Sequence, residues 1–428
     1  MSAESIPPGD RAPNFARPSA SLLGLAPTAW WTRPRTLWGF VVIAALLIAL
    51  RKPWALHTPQ LSAEDGSIFL LQDDQMGLRA FWGTYVGYLH LLPRLIAWFA
   101  SHLADVAWWP AIYNGAAFLV TIGLFARFTS ARIDVPGKPW LLVSFGLVAH
   151  TGEVLLNVTN VQWLASFFLL QQLVLTRPTS AWQRAGDFTL LIVVGLTGPF
   201  SLIYLPLFAW RWWRERNFDN LTVLLVLAAC AGVQGWLLAK AGLEIEAHPQ
   251  PWRLDMLFAV MGSRLAIWPV FGSGIARALP VPALALLGLL LLGAFAAWVL
   301  RPHPRRRLRA QILVAVVLMT IACLRRMRPD TWETANLENG DRYFYIARVL
   351  LAWLLIWECD AGPRAVALTA RALCLAGTLV NLPQFIQPAP PDYHWADNCD
   401  PIRRGTPANI PTLPEGWRIE YPGRQPKR

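Results

Sequence analysis

Long, uninterrupted blocks of apolar residues constrain the fold of this chain more than any other feature of its sequence. The blocks are roughly 15 to 22 residues long, the length that a helix needs to cross a hydrocarbon core about 30 Å thick. Backbone polar groups must be paired inside lipid, so blocks of this length indicate helices. The short alternating segments of a membrane β-barrel do not occur in the sequence. We therefore predict an all-α, polytopic transmembrane helical bundle.

The composition supports a membrane protein and argues against other classes. Hydrophobic residues make up 55% of the chain and charged residues only 15%, whereas about a quarter of a soluble chain is charged. The net charge of +12 is spread over the ends of the apolar blocks rather than gathered in one domain, so it indicates orientation in a membrane and no nucleic-acid partner. The five cysteines form no CxxC pair, which disfavours a disulfide framework or a zinc site.

The distribution of arginines predicts the topology. With a cytoplasmic N-terminus, about eleven spans place the basic loops inside and the C-terminus outside. This reading takes Tyr85–Leu103 as a helix on the outer surface, because His90 and Arg94 are costly at the bilayer centre. It also leaves residues 241–280 outside, as a possible lid. The predicted spans are 36–51, 109–128, 140–155, 160–176, 187–198, 201–213, 219–240, 281–300, 310–324, 343–357 and 365–381.

These spans divide the chain into three parts. Residues 1–35 are rich in proline and serine and are predicted to be a loosely ordered cytoplasmic leader. Residues 36–381 form the predicted transmembrane domain, with a long outer loop after the first span. Residues 382–428 contain short runs spaced by prolines, and we predict an extended or β-like cap on the outer side.

An acidic pair, Glu64-Asp65, lies in the predicted first outer loop within SAEDGSIF. A carboxylate beside a low-dielectric wall can have a raised pKa and act as a general base. It could also bind a divalent cation through its oxygens, and the alternative is a solvated acidic loop. His90 and Arg94 are further candidate site residues in this loop, unless they serve as a helix cap or keep the charge at the membrane surface.

Polar residues also mark the predicted outer turn GEVLLNVTNVQW. Its amides could bind sugar hydroxyls and its indole ring could stack on a sugar. The alternative is a capped helical hairpin, because Asn and Thr are good N-caps. The candidate residues here are Glu153, Asn157, Asn160, Gln162 and Trp163.

A third outer segment, RRMRPDTWETANLENGDRYFY, carries arginines on the side where the positive-inside rule does not expect them. A phosphate or pyrophosphate headgroup is their natural partner, because a guanidinium binds phosphate in a bidentate way. The alternative is pairing with the acids of the same loop. The candidate residues are Arg325, Arg326, Arg328, Arg342 and Tyr343.

The order of these features resembles the GT-C superfamily of membrane glycosyltransferases, which includes protein O-mannosyltransferases and aminoarabinose transferases. The resemblance covers roughly residues 36–210. It rests on Glu64-Asp65, on GYLHLLPRLIAWF followed by NGAAFLVTIGLFARF, on LLNVTNVQW and on GLTGPFSLIYLPL. The family's pair is commonly Asp-Glu, and its proline-rich signature is replaced here by GYLHLLPR, which leaves open which carboxylate is the base.

The resemblance implies a polyprenyl-phosphate-linked sugar as donor and an inverting transfer to a glycan, lipid or protein acceptor. Asp65 or Glu64 would deprotonate the acceptor, and Arg342 with Arg325, Arg326 or Arg328 would hold the leaving lipid phosphate. A divalent cation could assist. The implied location is a bacterial plasma (inner) membrane.

Other functions fit parts of the pattern. A transporter or flippase for lipid-linked saccharides would show polar residues deep in its spans and an internal repeat, and neither occurs in the sequence. A polysaccharide ligase or polymerase would favour one long late outer loop with Arg and His. A non-catalytic assembly subunit is a third alternative.

Overall fold

The structure is a computed structural model that describes residues 33–242, 253–303, 305–327 and 332–424. Most of the predicted leader (residues 1–32) and the candidate phosphate ligand Arg328 lie outside the described residues.

The elements as far as residue 215 are helical except for one short hairpin, whose two strands have two residues each. Besides the α-helices, this part contains a π-helix, Asp65–Leu70, and short 3-10 helices at Gly77–Trp82 and Val106–Trp108. The hairpin is β1 (Thr84–Tyr85) with β2 (Tyr88–Leu89). The α-helices are α1 (Pro34–Arg51), α2 (Trp54–His57), α3 (Leu71–Met76), α4 (Leu91–Leu103), α5 (Trp109–Arg127), α6 (Lys138–Leu147), α7 (Val161–Val174), α8 (Ala181–Gly195) and α9 (Phe200–Glu215).

The remaining elements are again mainly helical and end in a second antiparallel hairpin, β3 (Ala408–Thr412) with β4 (Trp417–Tyr421). Short 3-10 helices lie at Leu382–Gln384 and Trp395–Asn398, and a π-helix, Gly262–Ile267, joins two α-helices. The α-helices are α10 (Phe218–Ala241), α11 (Leu254–Met261), α12 (Trp268–Ala278), α13 (Val281–Leu300), α14 (Arg306–Arg326), α15 (Arg342–Ala361), α16 (Arg364–Asn381) and α17 (Cys399–Arg404).

Within the described residues, seven helical segments are long and apolar enough to cross a membrane. The predicted helical class is therefore confirmed, with seven segments that could cross a membrane, while the count of eleven spans stays a prediction. The other predicted spans are α15 and four shorter helices, α6 to α9, which have 10 to 16 residues. The seven segments are Pro34–Arg51, Val106–Arg127, Phe218–Ala241, Leu254–Ala278, Val281–Leu300, Arg306–Arg326 and Arg364–Gln384.

One of these segments, Leu254–Ala278, lies where we predicted only an outer lid. The outer position stays a prediction, and the structure shows that α11 packs against α13 as an apolar helix. Gly262 lies so close to α13 that an added Cβ would be 2.0 Å from the Leu284 carbonyl oxygen, and Gly288 lies equally close to the Phe258 carbonyl oxygen. Small residues allow this close approach between helices in membranes. The segment is broken at Gly272, whose backbone is not helical.

The helix ends and their connections form two opposite faces of the bundle. The loop face is built from residues 52–108, 148–160, 196–199, 332–341 and 382–424, which contact one another through pairs such as His90 with Thr197. The arginine face is held by contacts such as Arg132 with Asp187 and Arg309 with Glu358. Its arginines include Arg127, Arg132, Arg177, Arg184, Arg211, Arg214 and Arg307.

The predicted surface helix at 85–105 is helical from Leu91 to Leu103 and does not meet the criteria for a span. Residues 84–89 form the β1–β2 hairpin instead. One side of α4 is buried against the protein, while Leu95, Phe99 and Leu103 form an exposed apolar stripe. Such an amphipathic helix suits the boundary between headgroups and acyl chains.

The C-terminal residues pack onto the first loop of the loop face. The Leu413 amide donates to the Leu61 carbonyl oxygen at 3.1 Å, and the Trp395 indole donates to the Val106 carbonyl oxygen at 2.8 Å. Ile419 packs directly over Gly66, where an added Cβ would be 2.2 Å from the Ile419 side chain. The β-like cap and the acidic loop therefore share one apolar core.

Candidate functional site

Asp65 begins the π-helix of the first loop, and its side chain is fully buried. Its Oδ1 accepts hydrogen bonds from the Thr159 amide at 2.6 Å and the Thr159 hydroxyl at 2.7 Å. The Ser62 amide donates to Oδ2 at 3.2 Å. Burial raises the pKa of Asp65 to about 6, and the bonds from Thr159 oppose that rise. In this position Asp65 joins the first loop to the turn before α7.

Glu64, one residue earlier, is partly exposed. The hydroxyl of Tyr85, from the β1–β2 hairpin, donates to its Oε1 at 2.6 Å. Burial, and then the Glu64 charge and this bond, raise the pKa of the Tyr85 phenol, so Tyr85 stays a hydrogen-bond donor. Of the two predicted carboxylates, Glu64 is the one that a molecule at the loop face can contact.

Glu153 and Arg342 form an ion pair that joins the turn before α7 to the start of α15. The Arg342 amide also donates to Glu153 at 3.3 Å, and the Arg342 guanidinium lies 5.1 Å from the centre of the Tyr343 ring. The Arg342 side chain keeps 36% of its surface exposed and the Glu153 side chain keeps 30%. An exposed guanidinium of this kind can still accept an anionic ligand.

Tyr88 brings the hairpin close to these groups. The positive charges of Arg326 and Arg342 both act on its phenol, whose pKa is raised mainly by burial. Arg342 acts on the Tyr85 phenol as well. The structure therefore gathers Glu64, Tyr85, Glu153 and Arg342, which we call the loop-face cluster, and Arg326 lies near enough for its charge to act on Tyr88.

Lys52, directly after α1, lies behind this cluster and is 93% buried. Its ammonium donates to the Leu155 carbonyl oxygen at 2.9 Å and lies 4.8 Å from the centre of the Trp54 ring. Burial lowers the pKa of Lys52 to about 8, while the charges of Asp65 and Glu153 oppose that change. Lys52 thus supplies positive charge beneath the two carboxylates.

Asn157 and Asn160 serve the backbone of their own turn. Both side-chain amides donate to the Glu153 carbonyl oxygen, at 2.8 and 3.0 Å. The Asn157 side-chain oxygen accepts from the Asn160 amide at 2.8 Å. Both residues are buried, so they shape the turn that presents Glu153.

Gln162 and Trp163 line the interior next to the turn at Gly198. The Trp163 ring packs edge-on against Phe200 and Tyr343, with centroids 5.4 and 5.5 Å apart. Among the described residues, the Gln162 side-chain oxygen and the Trp163 indole nitrogen have no hydrogen-bond partner although both are buried. Unpaired buried polar atoms are costly, so these two mark a place where a polar ligand would be stabilised.

The remaining candidates lie apart from the cluster or play other roles. His90 is buried among Phe69, Tyr85 and Tyr88, and burial lowers its pKa to about 3. It is therefore neutral and does not provide a cation. Arg94 is also buried and donates to Gln72 at 2.7 Å.

Arg325 is exposed at the end of α14. No described contact brings it to the loop-face cluster.

Asp341, immediately before α15, fixes the loop that presents Arg342. It accepts from the Thr151 amide at 2.7 Å and from Arg348 at 2.5 Å. Arg264 of the 262–267 π-helix donates to the carbonyl oxygens of Leu337 and Asn336, each at 2.8 Å. The loop is thus held by the buried charges of Arg348 in α15 and of Arg264 in the 262–267 π-helix.

Sequence reasoning missed four residues that build the site, namely Lys52, Tyr85, Tyr88 and Thr159. A lysine directly after a membrane helix is usually an exposed flanking charge, which hides the role of Lys52. The two tyrosines flank Val86-Gly87 in TYVGY, and this glycine-containing turn was a signal for a hairpin.

The described residues contain no group of three or more His, Cys, Asp or Glu side chains that could hold a metal ion. The predicted divalent cation therefore has no candidate ligand set in that part of the chain.

Comparison with known proteins gives the chain no family. No family model, no curated protein and no solved structure matches it. A functional conclusion must come from the loop-face cluster itself.

Proposed function

We propose that this chain is an integral-membrane glycosyltransferase. It would transfer a sugar from a polyprenyl-phosphate donor to a glycan, lipid or protein acceptor at the loop face. The observation that carries the proposal is the loop-face cluster, where an accessible carboxylate, Glu64, and a partly exposed guanidinium, Arg342, both lie around the Tyr85 phenol. A base for the acceptor and a cation for the leaving group are the two functions that such a transfer requires.

In this proposal Glu64 rather than Asp65 is the base. The acceptor hydroxyl oxygen attacks the anomeric carbon while its proton passes to the Glu64 carboxylate. Tyr85 donates to Oε1 and would orient the carboxylate so that the other oxygen faces the acceptor. Asp65, which is buried against Thr159, would position Glu64 without contacting substrate.

Arg342 would bind the lipid phosphate. As the bond between the anomeric carbon and the phosphate oxygen breaks, its electron pair passes to that oxygen, and a guanidinium stabilises the negative charge that develops there. The Arg326 charge, which acts on Tyr88 beside Arg342, would support it. The sugar would lie towards Trp163 and Gln162, whose unpaired polar atoms are available.

We also propose the topology that this reaction needs. The arginine face would lie in the cytoplasm, by the positive-inside rule. The loop face, with the C-terminal residues, would then lie outside, and about eleven helices would span the bilayer of a bacterial plasma membrane. The test is a reporter enzyme fused after residue 424. We expect it to be located outside the cytoplasm. A reporter located in the cytoplasm would contradict this topology.

Single-residue variants test the roles of the two carboxylates. Membranes containing Glu64→Gln, Asp65→Asn or the control Glu338→Gln would be given a labelled polyprenyl-phosphate sugar. Glu338 is a suitable control because it pairs only with the exposed Arg277 among the described residues. We expect Glu64→Gln to lose roughly a hundredfold or more, as for a general base, and the other two to stay within about tenfold of wild type.

The products decide between this function and the alternatives. A transferase releases free polyprenyl phosphate as the sugar moves to an acceptor. Movement of the intact donor across the membrane without release would indicate a flippase instead. Full activity of Glu64→Gln, with loss in Asp65→Asn, would exchange the proposed roles of the two carboxylates.

A further inference from the structure

A cavity of about 470 Å³ opens at the arginine face, far from the loop-face cluster. It lies where the ends of α7 and α9 meet the starts of α10 and α14. Its walls are partly apolar, with Leu173, Trp210 and Leu308 facing the space. The proposed transfer reaction uses none of these residues.

Four arginines line the cavity. Arg211 lies deepest, with 14% of its side chain exposed. It donates to the carbonyl oxygens of Gln172 at 2.6 Å and Leu175 at 2.7 Å, so its position is fixed by the end of α7. Its buried Nε makes no hydrogen bond within the described residues and lies 3.6 Å from the Glu215 carboxylate.

The other three arginines, Arg177, Arg214 and Arg307, lie at the exposed rim. Arg177 contacts Asp219 at 3.3 Å. Arg214 packs on the Trp213 ring, and within the described chain neither it nor Arg307 has an ion-pair partner. The rim therefore carries positive charge that is available to a ligand.

Two acids also line the cavity, Asp134 and Glu215. Glu215 is already engaged, since it accepts from the Asn220 side chain at 2.6 Å and lies 3.6 Å from Arg211. Four arginines against two acids leave the lining with a net charge of 4 − 2 = +2. An anion is the ligand that this balance favours.

We propose that this cavity binds a phosphate-bearing anion, and that the anion is the headgroup of an acidic membrane lipid. Guanidinium groups bind phosphate with short, charge-assisted hydrogen bonds. Basic pockets between membrane helices are a known type of lipid-headgroup site. The apolar walls from Trp210 and Leu308 would contact the lipid below its headgroup. This site is independent of the proposed transferase function.

Lipid binding by the purified full chain tests the proposal. Native mass spectrometry in a neutral detergent would measure bound phosphatidylglycerol, with phosphatidylcholine as the zwitterionic comparison. The test variant is Arg214→Gln with Arg307→Gln. The matched control is Arg364→Gln with Arg371→Gln, which removes two arginines of α16 that do not line the cavity. We expect the test variant, and not the control, to bind phosphatidylglycerol about tenfold more weakly.

Two further arms separate the possible outcomes. A variant with Arg214→Lys and Arg307→Lys keeps the charge and should bind better than the glutamine variant, which guards against a general loss of folding. If phosphatidylglycerol binds no better than phosphatidylcholine while inorganic phosphate still binds and is lost in the test variant, the ligand is a free phosphate compound and the lipid assignment is overturned. Equal lipid binding by the test variant and the control would overturn the proposal.

Discussion

At the loop face Arg51, Arg264 and Arg348 are at least 98% buried, whereas at the arginine face Arg177 and Arg184 keep 69% and 57% of their side chains exposed. The buried arginines donate to backbone carbonyl oxygens of loops, as Arg51 does to His150 at 2.7 Å. Of the exposed ones, Arg177 lies 3.3 Å and Arg184 3.6 Å from the carboxylate oxygens of Asp219.

The difference teaches that a buried arginine fixes structure, as Arg309 also does with Glu358 at the arginine face, whereas exposed arginines such as Arg177 and Arg184 are suited to orienting the bundle. A buried charge must be fully paired to be tolerated, so the arginines of the loop face fix loop geometry. An exposed ion pair contributes little to stability, so the exposed arginines of the arginine face, such as Arg177 and Arg184, remain available for lipid headgroups. The comparison can be tested by changing each kind of arginine in turn.

The largest effect is expected from Arg348→Leu. This change leaves the buried carboxylate of Asp341 with only its bonds from Thr151, and breaking a buried pair typically costs about 3–5 kcal/mol. Unfolding of the detergent-solubilised protein by a graded denaturant would measure the loss. A loss below about 1 kcal/mol would mean that this pair behaves like a surface pair and would remove the contrast between the faces.

The pH dependence of Asp65 should give the next largest effect. Its pKa is raised from 3.8 to about 6 in the folded chain, so folding favours the protonated carboxyl. This contribution to stability is fully present below pH 4 and is lost as the pH rises through about 6, by up to about 3 kcal/mol.

The measurement is the thermal midpoint of wild type compared with Asp65→Asn from pH 4 to pH 8. Asparagine can still accept from Thr159 but does not ionise, so other titrating groups cancel in the difference. Wild type should weaken relative to Asp65→Asn as the pH rises to 7. A constant difference in thermal midpoint across this range would show that burial does not raise the pKa of Asp65.

Gly66→Ala should loosen the contact between the acidic loop and the C-terminal hairpin. The added methyl group would meet the Ile419 side chain at 2.2 Å, and such overpacking costs about 1–3 kcal/mol. Limited proteolysis should then cut residues 382–424 faster than in wild type. Gly115→Ala is the control, since an added Cβ there meets nothing within 4 Å. Equal cleavage of the Gly66→Ala and Gly115→Ala variants would contradict the packing of the C-terminal hairpin on the acidic loop.

The smallest effect is expected from Arg184→Gln at the arginine face. Its contact with Asp219 is 3.6 Å long and exposed, so removing it should change the free energy of unfolding by about 0.5 kcal/mol or less. The same denaturant series used for Arg348→Leu measures it. A loss as large as that of Arg348→Leu would remove the proposed contrast between the two faces.

Local sequence predicted much of the helical architecture because apolar length is a local property. The helical segment 254–278 was predicted less well. Arg264 and Gly262 make residues 254–278 look amphipathic, but the Arg264 charge is satisfied by carbonyl oxygens of residues 336–339. Such pairing across more than 70 positions cannot be read from a window of sequence.

The candidate site shows the same division. The acidic pair and the Arg342 loop could be found from the sequence, because charges next to apolar blocks stand out. Which carboxylate is accessible depends on Thr159 and Tyr85, residues 94 and 21 positions away. Their contacts bury Asp65 and leave Glu64 open, and neither contact follows from the residues around the pair.

The bond from the Thr412 side chain to the Leu61 carbonyl oxygen joins residues 351 positions apart. Chains grow at about 5–20 residues per second, so the acidic loop would wait roughly 20 to 70 s for this partner during synthesis. Throughout that interval the apolar side chains around Gly66 would lack their cover. Completion of the apolar core between the acidic loop and the C-terminal hairpin is therefore a late event, and nascent chains stalled before residue 408 would be natural clients of chaperones and quality-control proteases.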